Sequence, residues 1–276
     1  MKRIADLSCL VLLLIALAGC GGSSSSTSNT SAGSTNAALA GTYIGTLTYS
    51  VGGYAPGLVN LAIGPDGAVT GTELAGTANN SPDPLSGTID TSGNANLTET
   101  ETVGSNVATT TITGTLNAGS VTGGLGGALP FKCVNTNGFT SQGIITFALI
   151  KFPGTYSGTL TYTTSVVDSS LIGESGPITL AIASGGAVTG TEQAGTTNQA
   201  GTVNIDPVTG TIDMTGLTGV ANFAITDNNG TSTTLTGNLT LNPSTGVLSG
   251  ALPFTAGNTI TGYMNSGTLT LNLAKQ

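Results

Sequence analysis

Two glutamates occupy the same position of a repeated segment, and their carboxylates are the groups in this sequence best suited to hold a ligand. The segment Gly-Ala-Val-Thr-Gly-Thr-Glu occurs at 67–73, ending in Glu73, and again at 186–192, ending in Glu192. Because side chains alternate between the faces of a strand, each glutamate shares the inward face with a valine. A buried carboxylate needs a partner, so each could anchor a small ligand. The alternative is a strand-end residue at the solvated rim, bonded to turn amides.

Four tyrosines complete the candidate site. Tyr43 and Tyr49 lie in the segment Gly-Thr-Tyr-Ile-Gly-Thr-Leu-Thr-Tyr at 41–49, and Tyr156 and Tyr162 hold the same two places in its copy at 154–162. A tyrosine combines an apolar ring with a hydroxyl that donates and accepts hydrogen bonds. The predicted ligand-binding residues are therefore Tyr43, Tyr49, Glu73, Tyr156, Tyr162 and Glu192.

The composition argues against catalysis. The chain has no histidine and no arginine beyond Arg3, so it contains neither a Ser-His or Cys-His pairing nor a cluster of zinc ligands. A two-carboxylate glycosidase and a calcium loop remain formally open, although no segment has the spacing of a calcium loop. We predict a protein that is not an enzyme, with no catalytic residue, metal site or cofactor.

The first twenty residues have the pattern of an export signal. Lys2 and Arg3 precede an apolar stretch at 7–17, and the segment Leu-Ala-Gly-Cys follows at 17–20. The apolar stretch is shorter than the about 20 residues that span a bilayer, which favours a cleaved signal peptide at 1–19. The alternative for Cys20 is a chance cysteine after an ordinary signal.

The segment at 17–20 resembles the bacterial lipobox. That resemblance implies cleavage before Cys20 and lipidation of its thiol, so that several acyl chains hold the protein at the cell envelope. Gly21 after the cysteine implies, in the same family, sorting to the outer membrane, facing either the periplasm or the cell surface.

The negative net charge disfavours two classes of binding partner, nucleic acid and anionic lipid. Once residues 1–19 are removed, three lysines face twelve carboxylates, a net charge of about -9. Nucleic acid is a poor partner for such a surface, and anionic headgroups would repel it. Membrane attachment must therefore come from the N-terminal acyl chains. Residues 20–40, rich in Ser, Thr and Gly, are predicted to form a disordered, flexible tether.

Repetition over more than 100 residues predicts two related domains, at 41–152 and 153–276. Two further segments repeat in the same order, at 86–90 and 209–213 and at 127–131 and 250–254. Alternation and turn signals predict eight strands in each copy. In the first copy they are 42–50, 57–63, 67–75, 84–90, 94–102, 107–116, 119–126 and 142–150. Short connections favour an antiparallel meander, closed into a barrel or folded as a two-sheet sandwich.

Glycines recur at mid-strand positions of the apolar face, including Gly45 and Gly71 in the first copy and Gly158 and Gly190 in the second. Missing side chains could open a cavity, or a small barrel could need glycine to coil tightly. Cys133 is the one cysteine left after cleavage and lipidation, so no intramolecular disulfide is expected. We expect its thiol to be buried as a small apolar group.

Two segments, Gly-Thr-Tyr at 41–43 and Ile-Gly-Pro-Asp-Gly-Ala-Val-Thr-Gly-Thr-Glu at 63–73, resemble the first strands of the avidin and streptavidin family. The resemblance implies an eight-stranded meander barrel. It also places Gly45 and Tyr49 where the family has polar biotin contacts, and Glu73 and Glu192 where it has a ligand-contacting tyrosine. The chain has no tryptophan for the pocket walls. Biotin is therefore not expected as the ligand.

These observations together predict an all-β, lipid-anchored envelope protein of non-catalytic type. Its function would be to bind a small apolar ligand, or a surface protein or glycan. The alternative is a structural or adhesive surface lipoprotein with no small-molecule ligand.

Overall fold

The chain forms two closed antiparallel β-barrels in tandem. The computed structural model describes Asn36 and residues 38–51, 56–74, 82–193, 205–227 and 230–276. The predicted signal peptide, Cys20 and most of the predicted tether lie outside the described residues. The all-β prediction is confirmed, and of the two architectures left open the barrel is the one observed.

The first barrel is closed by pairing between β6 and β8, while β1 pairs with β2 on one side and β9 on the other. β7 is a two-residue strand that pairs with β8. The strands are β1 Gly41–Tyr49, β2 Gly57–Ile63, β3 Ala68–Leu74, β4 Asp83–Ile89, β5 Asn94–Val103, β6 Asn106–Thr115, β7 Asn117–Ala118, β8 Gly124–Asn135 and β9 Thr140–Lys151.

The second barrel has eight strands, and pairing between β10 and β17 closes it. A three-residue 3-10 turn, Ser169–Leu171, follows β10. Within the described ranges, no helix has the length and apolar character needed to cross a membrane. The strands are β10 Gly154–Ser165, β11 Ser175–Ile182, β12 Ala187–Glu192, β13 Asp206–Thr215, β14 Thr218–Thr226, β15 Thr231–Asn242, β16 Val247–Asn258 and β17 Tyr263–Lys275.

The seventh strand of the first copy was predicted wrongly at 119–126. The strand runs instead through Gly124–Asn135 and contains Pro130, although proline is uncommon in the middle of a strand. Pairing of β6 with β8 stops at Ile112 and Phe131 and resumes through β7, so Pro130 lies where that ladder is interrupted. Pro253 lies in the matching gap between β15 and β16. A residue without an N–H fits a strand at such a break.

Each barrel is filled by the inward-facing apolar side chains of its strands. In the first barrel the side chains of Leu47, Leu61 and Phe147 are buried, and Tyr49 is half-buried. Cys133 is buried as well and forms no disulfide. This packing follows from the period-two pattern, because alternate side chains of every strand enter the interior.

The folded part begins before the predicted boundary at Gly41. Asn36 is buried; its backbone N–H donates to the carbonyl of Pro65 and its side-chain amide to the carbonyl of Ile89. Leu39 packs against the first core. The last residues of the predicted tether therefore lie against the barrel.

The mid-strand glycines allow close approach of strands rather than opening a cavity. A Cβ atom added at Gly45 would lie 2.0 Å from the carbonyl oxygen of Ala148, and one added at Gly158 would lie 2.0 Å from that of Asn272. A Cβ atom added at Gly71 or Gly190 would also lie too close to a backbone carbonyl oxygen of the neighbouring strand. The space that a side chain would use is occupied by the backbone of the next strand.

We expect Gly45→Ala and Gly158→Ala to destabilise their barrels by about 1–3 kcal/mol, the usual range for overpacking, because a backbone carbonyl cannot move aside as a side chain can. Urea unfolding followed by circular dichroism measures the change. Gly185→Ala is the matched control, since no atom lies within 4 Å of its added Cβ. Equal unfolding midpoints for Gly45→Ala and Gly185→Ala would contradict the explanation.

Candidate functional site

The two ends of each barrel differ in their residues, and they are named here by the connections they carry. The turn end of the first barrel carries the tight turns at 64–67 and 90–93, and its loop end carries the connections that follow β1, β3, β5 and β8. In the second barrel the loop end carries the connections that follow β10, β12, β14 and β16.

Tyr43 and Tyr156 close the turn ends of their barrels. The hydroxyl of Tyr43 donates to the carbonyl of Leu39 at 2.9 Å, and that of Tyr156 donates to the carbonyl of Phe152 at 2.8 Å. Burial raises the pKa of both phenols. The structure therefore gives these two predicted site residues the same packing role, away from the glutamates.

Tyr49 and Glu73 meet at the loop end of the first barrel. The Tyr49 hydroxyl donates to Oε1 of Glu73 at 2.7 Å. Glu73 is fully buried, so of the two alternatives drawn from the sequence the inward orientation is right and the solvated rim is wrong. The ring of Phe131 stands edge-on to Tyr49, with 5.4 Å between centroids.

Two further carboxyl groups join Glu73, and the sequence analysis missed both. Asp83 on β4 pairs with Glu73 on β3, and Glu99 on β5 pairs with Leu85 on β4. Both side chains are 5% exposed, and Oε2 of Glu99 lies 3.5 Å from the Tyr49 hydroxyl. Alternation along β5, which puts Glu99 in phase with buried Leu97, was the available signal. Glu73, Asp83 and Glu99 are called the carboxyl cluster below.

The carboxyl cluster is electrostatically strained. Burial, and then the neighbouring Glu99 carboxyl, raises the pKa of Glu73, and burial likewise raises the pKa of Glu99, whose side chain hydrogen-bonds Glu73. Burial, and then the charge of Glu101, raises the pKa of Asp83 to about 6. Two buried carboxyls in hydrogen-bond contact share a proton rather than ionise together.

The loop end of the second barrel repeats part of this arrangement. Glu192 pairs with Asp206 across β12 and β13, and both are buried. Burial, and then the charge of Glu192, raises the pKa of Tyr162. Tyr162 also meets the ring of Phe254 edge-on, at 5.3 Å between centroids. Tyr162 and Glu192 thus hold the places of Tyr49 and Glu73, and the charge of Glu192 acts on the Tyr162 hydroxyl.

One position distinguishes the two loop ends. Leu85 pairs with Glu99 in the first barrel, and its counterpart Val208 pairs with Ile225 in the second. The second barrel therefore has an apolar side chain where the first has its third carboxyl. In the described part of the chain, no three acidic, histidine or cysteine side chains are arranged to hold a metal ion.

Large exposed apolar side chains lie mainly at the loop ends of the barrels. In the second barrel Val166 is 76% exposed and Ile260 is 85% exposed, and both lie in loop-end connections. Phe139, 61% exposed, follows β8 at the loop end of the first barrel.

Comparison with known proteins adds no family to this description, because no protein-family model matches the chain and no curated protein shows significant similarity to it.

We expect Glu99→Ile, which copies Ile225, to stabilise the first barrel at pH 8 by on the order of 1–3 kcal/mol, since it removes one of the buried like charges. The stabilisation should shrink toward pH 4. A folded-state pKa above the unfolded value of 4.5 means that protonation favours the folded state, so the cluster destabilises the fold only as pH rises. Hydrogen exchange of β3–β5, measured by mass spectrometry across this pH range, tests the effect.

Ile225→Glu is the matched converse. It places a third buried carboxyl in the second barrel and should lower protection of β12–β14 at pH 8 while leaving β3–β5 unchanged. Loss of protection that is equal at pH 4 and pH 8 would show a packing defect and would refute the electrostatic explanation.

Proposed function

We propose that this chain is a non-catalytic binding module of the bacterial cell envelope, held at the outer membrane by acyl chains on Cys20, and that it takes its partner at the loop ends of its barrels. One observation carries the second half of this proposal. Buried carboxyls and exposed apolar side chains, both costly for a soluble fold, gather at the same end of each barrel.

The barrel interiors are a poor place for the small apolar ligand that the sequence left open. Around Tyr43 the first interior is filled by buried Leu47, Leu61 and Phe147, and the mid-strand glycines are occupied by backbone. A ligand is therefore better accommodated at the loop end, where Tyr49 is half-buried. The avidin-like strand pattern supports a barrel, and with Gly45 and Tyr49 at its contact positions biotin is still not expected.

The structural or adhesive alternative keeps one specific observation in its favour. Val166, Val167 and Ile260 of the second barrel are all more than 60% exposed and could contact a surface protein or glycan without any small ligand. The two functions are separable because they use different groups, the buried carboxyls in one and the exposed aliphatic side chains in the other.

Cys20→Ala tests the membrane attachment. The variant should lack acyl chains and move from the detergent phase to the aqueous phase, because the mature chain carries only three lysines against twelve carboxylates and has no basic patch to bind headgroups. Phase partitioning in a cloud-point detergent, read by immunoblot, measures the shift. Cys133→Ala, which removes a buried thiol, is the control and should stay in the detergent phase. Unchanged partitioning of Cys20→Ala would overturn the proposed attachment.

Native mass spectrometry of the protein purified from its own host tests ligand binding. We expect a mass beyond that of the acylated chain, and we expect Glu73→Gln to lose it, since that change alters the Tyr49 contact. Val166→Ser, on the exposed surface, is the control and should retain it. Acylated protein with no added mass would overturn small-ligand binding and favour the adhesive function.

A further inference from the structure

The third carboxyl of the first barrel is not required by the fold. The second barrel has an equivalent Glu-Asp strand pair, yet it closes with Ile225 in place of Glu99. An apolar side chain therefore satisfies this position, and a buried carboxyl there costs stability. Sites that keep such a cost are candidates for function.

Two oxygen atoms of the carboxyl cluster accept no hydrogen bond from the described part of the chain. Oε2 of Glu73 and Oδ2 of Asp83 are buried and have no hydrogen-bond partner among the described residues. The two side chains are 0% and 5% exposed. A buried acceptor left unpaired costs about 1–3 kcal/mol, so a donor that reached these oxygens would recover that free energy.

No lysine of the described chain supplies that donor. Lys151 and Lys275 lie at the turn ends, beside Tyr43 and Tyr156, and Lys132 is exposed on the outer face of β8. The ionisable groups around the cluster are Glu101, which raises the pKa of Asp83 and Glu99, and the phenol of Tyr49. Among the described residues, then, no cationic side chain pairs with these two oxygens.

The arrangement fits a primary ammonium group better than a metal ion. An ammonium offers three N–H donors around a compact charge, whereas the three carboxyls are not grouped as metal ligands. Apolar walls stand beside it: Tyr49 and Val51 pack against the core, and Phe131 meets Tyr49 edge-on. These side chains suit an alkyl chain and a cation near aromatic rings.

We propose that Glu73, Asp83 and Glu99 form a binding site for a primary alkylammonium group, whose alkyl chain lies against Tyr49 and Phe131. The inference rests on the proposed function, since it names the ligand class of the same loop end. An ammonium beside the cluster would favour ionised carboxyls, so binding would release to solvent the proton that Glu73 and Glu99 share.

The test uses the full mature chain in non-ionic detergent and n-hexylammonium as the probe, followed by isothermal titration calorimetry at pH 7. We expect one site per chain, and a heat that changes with the ionisation enthalpy of the buffer because protons are released. n-Hexanol and tetramethylammonium are the comparison probes. The first keeps the alkyl chain without the charge, and the second keeps the charge without the N–H donors or the alkyl chain, so each should bind at least tenfold more weakly.

Two variants locate the site. Glu99→Ile should fold, because Ile225 holds the same position in the second barrel, and should weaken n-hexylammonium binding at least tenfold. Ile225→Glu gives the second barrel its third carboxyl and should raise the stoichiometry toward two. Circular dichroism confirms that both variants are folded.

Three results would overturn the proposal: no binding of n-hexylammonium to the wild-type chain, binding unchanged by Glu99→Ile, or equal binding of tetramethylammonium, which would indicate attraction to net negative charge alone. If n-hexylammonium fails while the protein from its host still carries a ligand mass, the ammonium site is refuted and the binding function stands. If both fail, the binding function is refuted too.

Discussion

Closure of each barrel by a continuous backbone ladder is the constraint on which the rest of this structure depends. The pairings of β6 with β8 and of β10 with β17 leave no open edge in either sheet, which removes the usual route to edge-to-edge association. Tight closure requires strands to approach closely, and glycines such as Gly45 and Gly158 permit it. The interior that remains is filled by side chains.

The turn ends and the loop ends of the barrels differ in the polar groups that they bury. At the turn ends, the hydroxyls of Tyr43 and Tyr156 donate hydrogen bonds to backbone carbonyls, and their rings complete the apolar packing. At the loop end of the first barrel, Glu73 and Asp83 are buried, and burial raises their pKa values. The fold tolerates this because a protonated carboxyl is far less costly to bury than an ionised one.

Duplication makes the comparison between the barrels informative. The Glu-Asp strand pair and the phenylalanine that stands edge-on to a tyrosine recur in both copies, so they belong to the shared architecture. Glu99 does not recur, since Ile225 holds its place. Closure of a barrel of this kind therefore does not require a carboxyl at this position. The exposed Val166 and Ile260 are likewise particular to the second barrel's connections.

The sequence by itself determined the β class, the duplication and most strand positions, because side-chain alternation and turn residues are local signals. It also predicted the inward face of Glu73 as one of two alternatives. The sequence left a barrel and a sandwich both open, because the choice depends on whether distant strands such as β6 and β8 pair. It also failed to predict that β8 continues through Pro130, whose missing N–H is tolerated because the β6–β8 pairing is interrupted there. Only the tertiary structure separated Tyr43 from Tyr49 and brought Asp83 and Glu99 to Glu73, because strand register, rather than spacing along the chain, sets which side chains meet.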